Sequence, residues 1–70
     1  MITLYKNCHF CELSINQDLF GVWEVTKKSG CSTRTSVYVD TYKFADELDA
    51  KLKLFDLEVN KRKLGFKYRD

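Results

Sequence analysis

The residues in this chain with the most chemistry to offer are Cys8, His9 and Cys11, followed later by Cys31. Three thiols and an imidazole make a ligand set for zinc, which takes sulfur and nitrogen donors at ~2.0–2.3 Å. The second Cys-x-x-Cys half of a four-cysteine site is absent. Residues 9–15 also alternate in polarity as a strand does, and positions 8 and 11 of a regular strand point to opposite faces. The expectation is no bound metal and no cofactor, with Cys11 a small core residue. No helix start follows Cys8 to depress its pKa, so a redox pair is not expected.

Catalytic constellations are missing. His9 is the single histidine, and no serine or cysteine nucleophile is tied to it by spacing. The carboxylates between 40 and 60 alternate with lysines at helical spacing, as in Glu47 with Lys51 and Asp49 with Lys53. Such i,i+4 pairs each contribute a few tenths of a kcal/mol, and they are not an acid–base pair. With no glycine-rich phosphate loop either, no enzyme is expected.

Binding is the better prospect. The net charge is only +2, but it is unevenly spread. Residues 40–60 hold six acids against three lysines, whereas residues 61–69 hold Lys61, Arg62, Lys63, Lys67 and Arg69 and no acid. Lys27, Lys28 and Arg34 form a second basic group around Gly30. Separated charge steers an anion toward one end of a molecule. Tyr5, Phe10 and Tyr38 are expected on an outer sheet face near Lys28 and Arg34, where aromatic rings stack bases while cations hold phosphates.

The elements that must position these groups follow from periodicity. Period-two alternation predicts strands near 2–6, 9–15, 22–28 and 33–39, with Cys11, Leu13 and Ile15, and then Trp23 and Val25, on core faces. Asn16 to Gly21 reads as a turn, and Ser29-Gly30-Cys31-Ser32 as another. Near residue 40 the period changes. Ala45, Leu48, Leu52, Phe55 and Val59 form one stripe of a helix expected over 41–63, with Asp40 or Thr41 as its N-cap and Gly65 as its left-handed stop. Trp23 and Phe55 are both expected in the core. Ala50, Leu54 and Leu57 form a second, shorter stripe, a candidate self-association surface.

Seventy residues allow one domain, and ten aromatics (one Trp, four Tyr, five Phe) supply one core. No apolar run reaches the roughly 20 residues that span a bilayer. The N-terminal residues lack the pattern of a signal peptide, so a cytoplasmic location is expected. The expected class is α+β: a small antiparallel sheet of about four strands packed on one C-terminal amphipathic helix, as a single domain over 1–70.

Leu19-Phe20-Gly21, Trp23, Lys27-Lys28, Ala45 and the run Lys61 to Phe66 together resemble the WGR domain, a small module of DNA-damage-responsive poly(ADP-ribose) polymerases and many bacterial proteins. The resemblance covers roughly residues 9–68. By spacing from Trp23, the Trp-Gly-Arg signature falls on Ser29, Gly30 and Cys31, so only the glycine is kept. The family's tryptophan and arginine help contact DNA; serine does not stack on a nucleotide, and cysteine does not fork onto a phosphate. The resemblance implies nucleic acid as a partner, and with the two basic groups the leading expectation is a non-catalytic module of WGR-like fold that binds nucleic acid, DNA in the first instance, weakly through backbone contacts from Lys27, Lys28, Arg34, Lys61, Arg62 and Lys63. The alternative is a protein-interaction or homodimerisation module using the outer aromatic face or the second helical stripe. A small zinc-stabilised domain is a third reading.

Overall fold

The computed structural model describes residues 1–33 and 36–68. In chain order the elements are β1 (Ile2–Lys6), β2 (His9–Gln17), β3 (Trp23–Cys31), β4 (Val37–Phe44), α1 (Glu47–Lys63) and β5 (Lys67–Tyr68). All neighbouring strands are antiparallel, in the order β4-β3-β2-β1-β5. The α+β class is the one expected, and β5 adds a fifth strand at the free edge of β1. No helix among the described residues is long and apolar enough to cross a membrane.

Local chemistry sets the turns. β1 and β2 are joined by Asn7 and Cys8, and Asn7 sits at φ 55, which asparagine tolerates better than most residues. Between β2 and β3, Asp18 Oδ1 accepts from the backbone N–H groups of Phe20 (2.8 Å) and Val22 (2.9 Å). Gly21 closes that turn at φ 82, where a side chain would be strained. The turn leaves Leu19 and Phe20 projecting into solvent.

Alternation then builds the core. Leu4, Cys11, Leu13 and Val25 lie on one face of the sheet and are fully buried beneath Ala50 and Leu57 of α1. Ile15, Trp23, Tyr42, Phe44 and Phe66 pack partly buried around them. Each fully buried leucine or valine contributes roughly 1.5–3 kcal/mol, so a core this small leaves a narrow stability margin.

Four expectations are corrected. First, β4 runs through Phe44, and α1 begins at Glu47 rather than near residue 41. The β-branched and aromatic residues up to Phe44 complete a ladder to β3 that ends at Trp23↔Phe44. Asp46 then caps the helix, its carboxylate accepting from the Leu48 N–H at 3.1 Å. The cap is therefore neither Asp40 nor Thr41.

Second, the helix faces the other way round. Ala50, Leu54 and Leu57 turn toward the sheet, while Leu48, Leu52 and Phe55 are 63%, 57% and 63% exposed. Ala50 has no side chain beyond Cβ, so the helix can approach the sheet closely there, as it could not over leucine or phenylalanine. Trp23 is half-buried, and Phe55 is outside the core.

Third, Gly30 is not in a turn. β3 continues through Cys31, with Gly30 paired to Phe10 on one side and Val37 on the other. A Cβ at Gly30 would stand 3.1 Å from two atoms of the Phe10 ring, so the bare backbone makes room for that ring. Fourth, Tyr38 pairs with Ser29, which places it on the helix side of the sheet, away from Tyr5 and Phe10.

Candidate functional site

Charge is sorted along α1. Glu47 and Asp49 occupy its first turn and Lys61, Arg62 and Lys63 its last, each group complementing the helix dipole at its own end. Gly65, at φ 98, stops the helix. Its N–H bonds to the Arg62 carbonyl at 3.0 Å, and the Phe66 N–H bonds to the Lys61 carbonyl at 3.1 Å. This reversal brings the chain back beside its own last turn.

The result is a set of cations resting on rings. The Lys61 ammonium lies 4.9 Å from the centroid of Phe66, and the Arg62 guanidinium lies 5.6 Å from that of Tyr68. Both distances are within cation–π range. From β1, the Lys6 ammonium donates to the Leu64 carbonyl at the C-terminal end of the helix.

Two recesses flank this end. A cleft of about 270 Å³ is lined by Ser29, Gly30 and Cys31 together with Tyr38, Lys61 and Phe66. A shallower groove of about 450 Å³ is lined by Val59, Arg62, Lys63, Gly65, Phe66 and Lys67. Phe66 borders both. Ser29, Gly30 and Cys31 thus sit beside Lys61 in the basic last turn of α1.

The other basic residues are divided. Lys27 points to the helix side and lies 3.8 Å from the Asp40 carboxylate, an ion pair across β3 and β4. Lys28 projects from the opposite face of β3, in register with Glu12 and Val39. Neighbouring residues on a strand cannot share a face, so the Lys27-Lys28 pair does not act as one unit. Arg34 lies outside the described residues. Lys61, Arg62 and Lys63 therefore gather with Lys67, and Lys28 does not join them. Tyr5 and Phe10 do pair across β1 and β2 on the outer face, without Tyr38.

The cysteines split in an unexpected way. Cys11 is buried beneath the helix. Burial pushes its thiol above the usual range, while the positive charges of Lys61 and Lys27 pull it partly back. Cys8 and Cys31 instead come together, their sulfur atoms 2.7 Å apart, and Thr33 Oγ1 lies 3.0 Å from the Cys31 sulfur. The Cys8 thiol is raised first by the hydrogen bond with Cys31, then by desolvation and by the charge of a neighbouring thiolate. The ligand atoms of Cys8, His9 and Cys31 all lie within 4.8 Å of one another.

This grouping follows from hairpin register. His9 pairs with Cys31 across β2 and β3, and the Ser32 N–H bonds to the Cys8 carbonyl at 2.7 Å. Pairing Cys8 with Cys11 by sequence spacing hides it. Counting back from the Gln17↔Trp23 end of the hairpin reveals it.

Comparison of the chain with protein-family models, with curated proteins and with solved structures finds no match.

Proposed function

We propose that this chain is a non-catalytic, WGR-like binding module that holds nucleic-acid backbone, DNA in the first instance, at the basic end of α1. The observation that carries the reading is the convergence of Lys61, Arg62, Lys63 and Lys67 on the two recesses that Phe66 divides. Lysine and arginine neutralise phosphates and release counterions, while Tyr38 and Phe66 offer ring surface to an unpaired base. The acids at the far end of α1 add a repulsive pole that orients an approaching polyanion. Without tryptophan or arginine at Ser29 and Cys31, the contacts are phosphate contacts, which position a strand but read no sequence.

Amide chemical-shift mapping with a short single-stranded oligonucleotide and its duplex tests this. Shifts should concentrate at Ser29 to Cys31 and at Lys61 to Lys67. Shifts confined to the face that carries Lys28, or no shifts at low salt, reject it. A Ser29→Trp, Cys31→Arg double variant asks whether the scaffold supports the family's own mode. Tighter binding to DNA ends is the outcome expected of a WGR-like scaffold.

A second reading rests on the outer face of α1. Leu48, Leu52, Phe55 and Val59 are spaced four, three and four residues apart, the a/d rhythm of a coiled coil. In a parallel pair of helices this register sets Lys51 against Asp56 of a second copy, and Glu58 against its Lys63. This is the homodimerisation alternative moved to the opposite stripe, because Ala50, Leu54 and Leu57 are occupied with the sheet. Light scattering should show a concentration-dependent dimer that Leu52→Lys abolishes; a monomer at every concentration excludes it.

A further inference from the structure

We propose that Cys8, His9 and Cys31 form a binding site for a divalent ion of the zinc type at the open end of the β2–β3 hairpin. The three donors come from two strand ends and a turn, and the register that brings them together belongs to the sheet itself. Zinc bonds of ~2.0–2.3 Å in a tetrahedral arrangement place neighbouring donor atoms roughly 3.5–3.8 Å apart. The present separations bracket that value, from 2.7 Å between the sulfurs to a limit of 4.8 Å for the set. The adjustment needed is therefore about 1 Å in each donor separation.

The chemistry of the donor set favours a metal over a plain thiol pair. Two thiols held this close repel once ionised, and a divalent cation between them removes that repulsion. His9 adds a borderline nitrogen donor that a disulfide would have no use for. Thr33 Oγ1, 3.0 Å from the Cys31 sulfur, is placed to hydrogen-bond the thiolate from outside the ligand set. His9 is exposed and Cys8 half-buried, so an ion has an entry path. Three protein ligands leave a fourth position for water or an incoming ligand. His9 and Cys31 also line the cleft beside Lys61, so the ion would sit at its rim, its charge balanced by the two thiolates that give up their protons to bind it. The expectation of no bound metal rested on Cys8 and Cys11 pointing apart. Cys11 does stand apart, but the partners of Cys8 are His9 and Cys31.

The test is titration of the reduced full chain with cobalt(II), under a non-chelating reductant and without oxygen. One equivalent should produce thiolate-to-cobalt charge-transfer absorption with tetrahedral ligand-field bands, and one equivalent of zinc should discharge both. Cys8→Ser should weaken cobalt binding by more than about 100-fold, beyond the 10–100-fold typical of losing an outer-shell partner. His9→Ala should weaken it measurably, while Cys11→Ala leaves the spectrum unchanged. Cys8 and His9 lie outside the core, so both variants should keep the far-ultraviolet circular dichroism of the parent chain. Absence of the charge-transfer band in the folded, reduced chain overturns the site. So does an unaltered band in Cys8→Ser, or a Cys8–Cys31 disulfide that forms under the same reducing conditions.

Discussion

Lys61 holds its ammonium 4.9 Å from the centroid of the Phe66 ring, across the reversal that Gly65 makes at the end of α1. That one relationship ties the basic turn to the last strand. It gives a flexible side chain a fixed direction, into the cleft beside Ser29, Gly30 and Cys31. A lysine already restrained loses less rotamer freedom when a phosphate arrives.

The two faces of α1 should respond differently to truncation. Leu57→Ala opens a cavity beneath the helix and should cost about 2–5 kcal/mol. Phe55→Ala removes an exposed ring and should cost less than about 1 kcal/mol in the monomer. Urea unfolding followed by circular dichroism distinguishes them, and equal losses would contradict the orientation of the helix.

The N-cap gives a second check. Asp46→Ala removes the acceptor for the Leu48 N–H and should cost about 0.5–2 kcal/mol. Asp40→Ala removes no cap. It only breaks a long, half-exposed ion pair with Lys27, so its effect should stay within about 1 kcal/mol. Thermal melts of the two variants separate the observed helix start from an earlier one.

The strands and the helix were legible because Cys11-Leu13-Ile15 alternates and Gly65 stops the helix in the left-handed region. Which side of the helix faces inward was not legible. Leu48-Leu52-Phe55 carries more apolar bulk than Ala50-Leu54-Leu57, and the burial rule taken alone chooses the heavier stripe. The small residue at the crossing decided otherwise, and that is a matter of distance between layers, which periodicity does not report. The β4–α1 boundary was missed for a related reason. Thr41 and Tyr42 suit a strand, but Ala45 fits the helical stripe, so the two periods overlap there. At the candidate site, Lys61, Arg62 and Lys63 were legible as helix-terminal charge. The divergence of Lys27 and Lys28 was implicit in their strand assignment. The meeting of Cys8 with Cys31 needed the hairpin register.

The buried Cys11 thiol makes stability pH-dependent in the alkaline range. Its folded pKa is raised above the unfolded value by burial. The folded state therefore keeps a proton that the unfolded state gives up, and stability falls as pH climbs through that window. The contribution is complete below the usual thiol pKa of about 8.5 and is lost progressively above it. Urea midpoints at pH 8 and pH 10 should differ more for the parent chain than for Cys11→Ala. Equal differences would show that other groups carry the alkaline loss.

Fluorescence anisotropy with labelled single-stranded and duplex DNA tests whether the basic end of α1 binds nucleic-acid backbone. At low salt the expected affinity is micromolar or weaker, with little preference among sequences. Three to four neutralised phosphates on duplex DNA give a slope of about −3 in log affinity against log salt. Lys61→Glu with Lys63→Glu should weaken binding to every oligonucleotide and flatten that slope, whereas Lys28→Glu should have the smaller effect. Failure of both oligonucleotides to bind at low salt, or a Lys61→Glu, Lys63→Glu chain that binds as tightly as the parent, would rule out nucleic-acid binding at this end of α1.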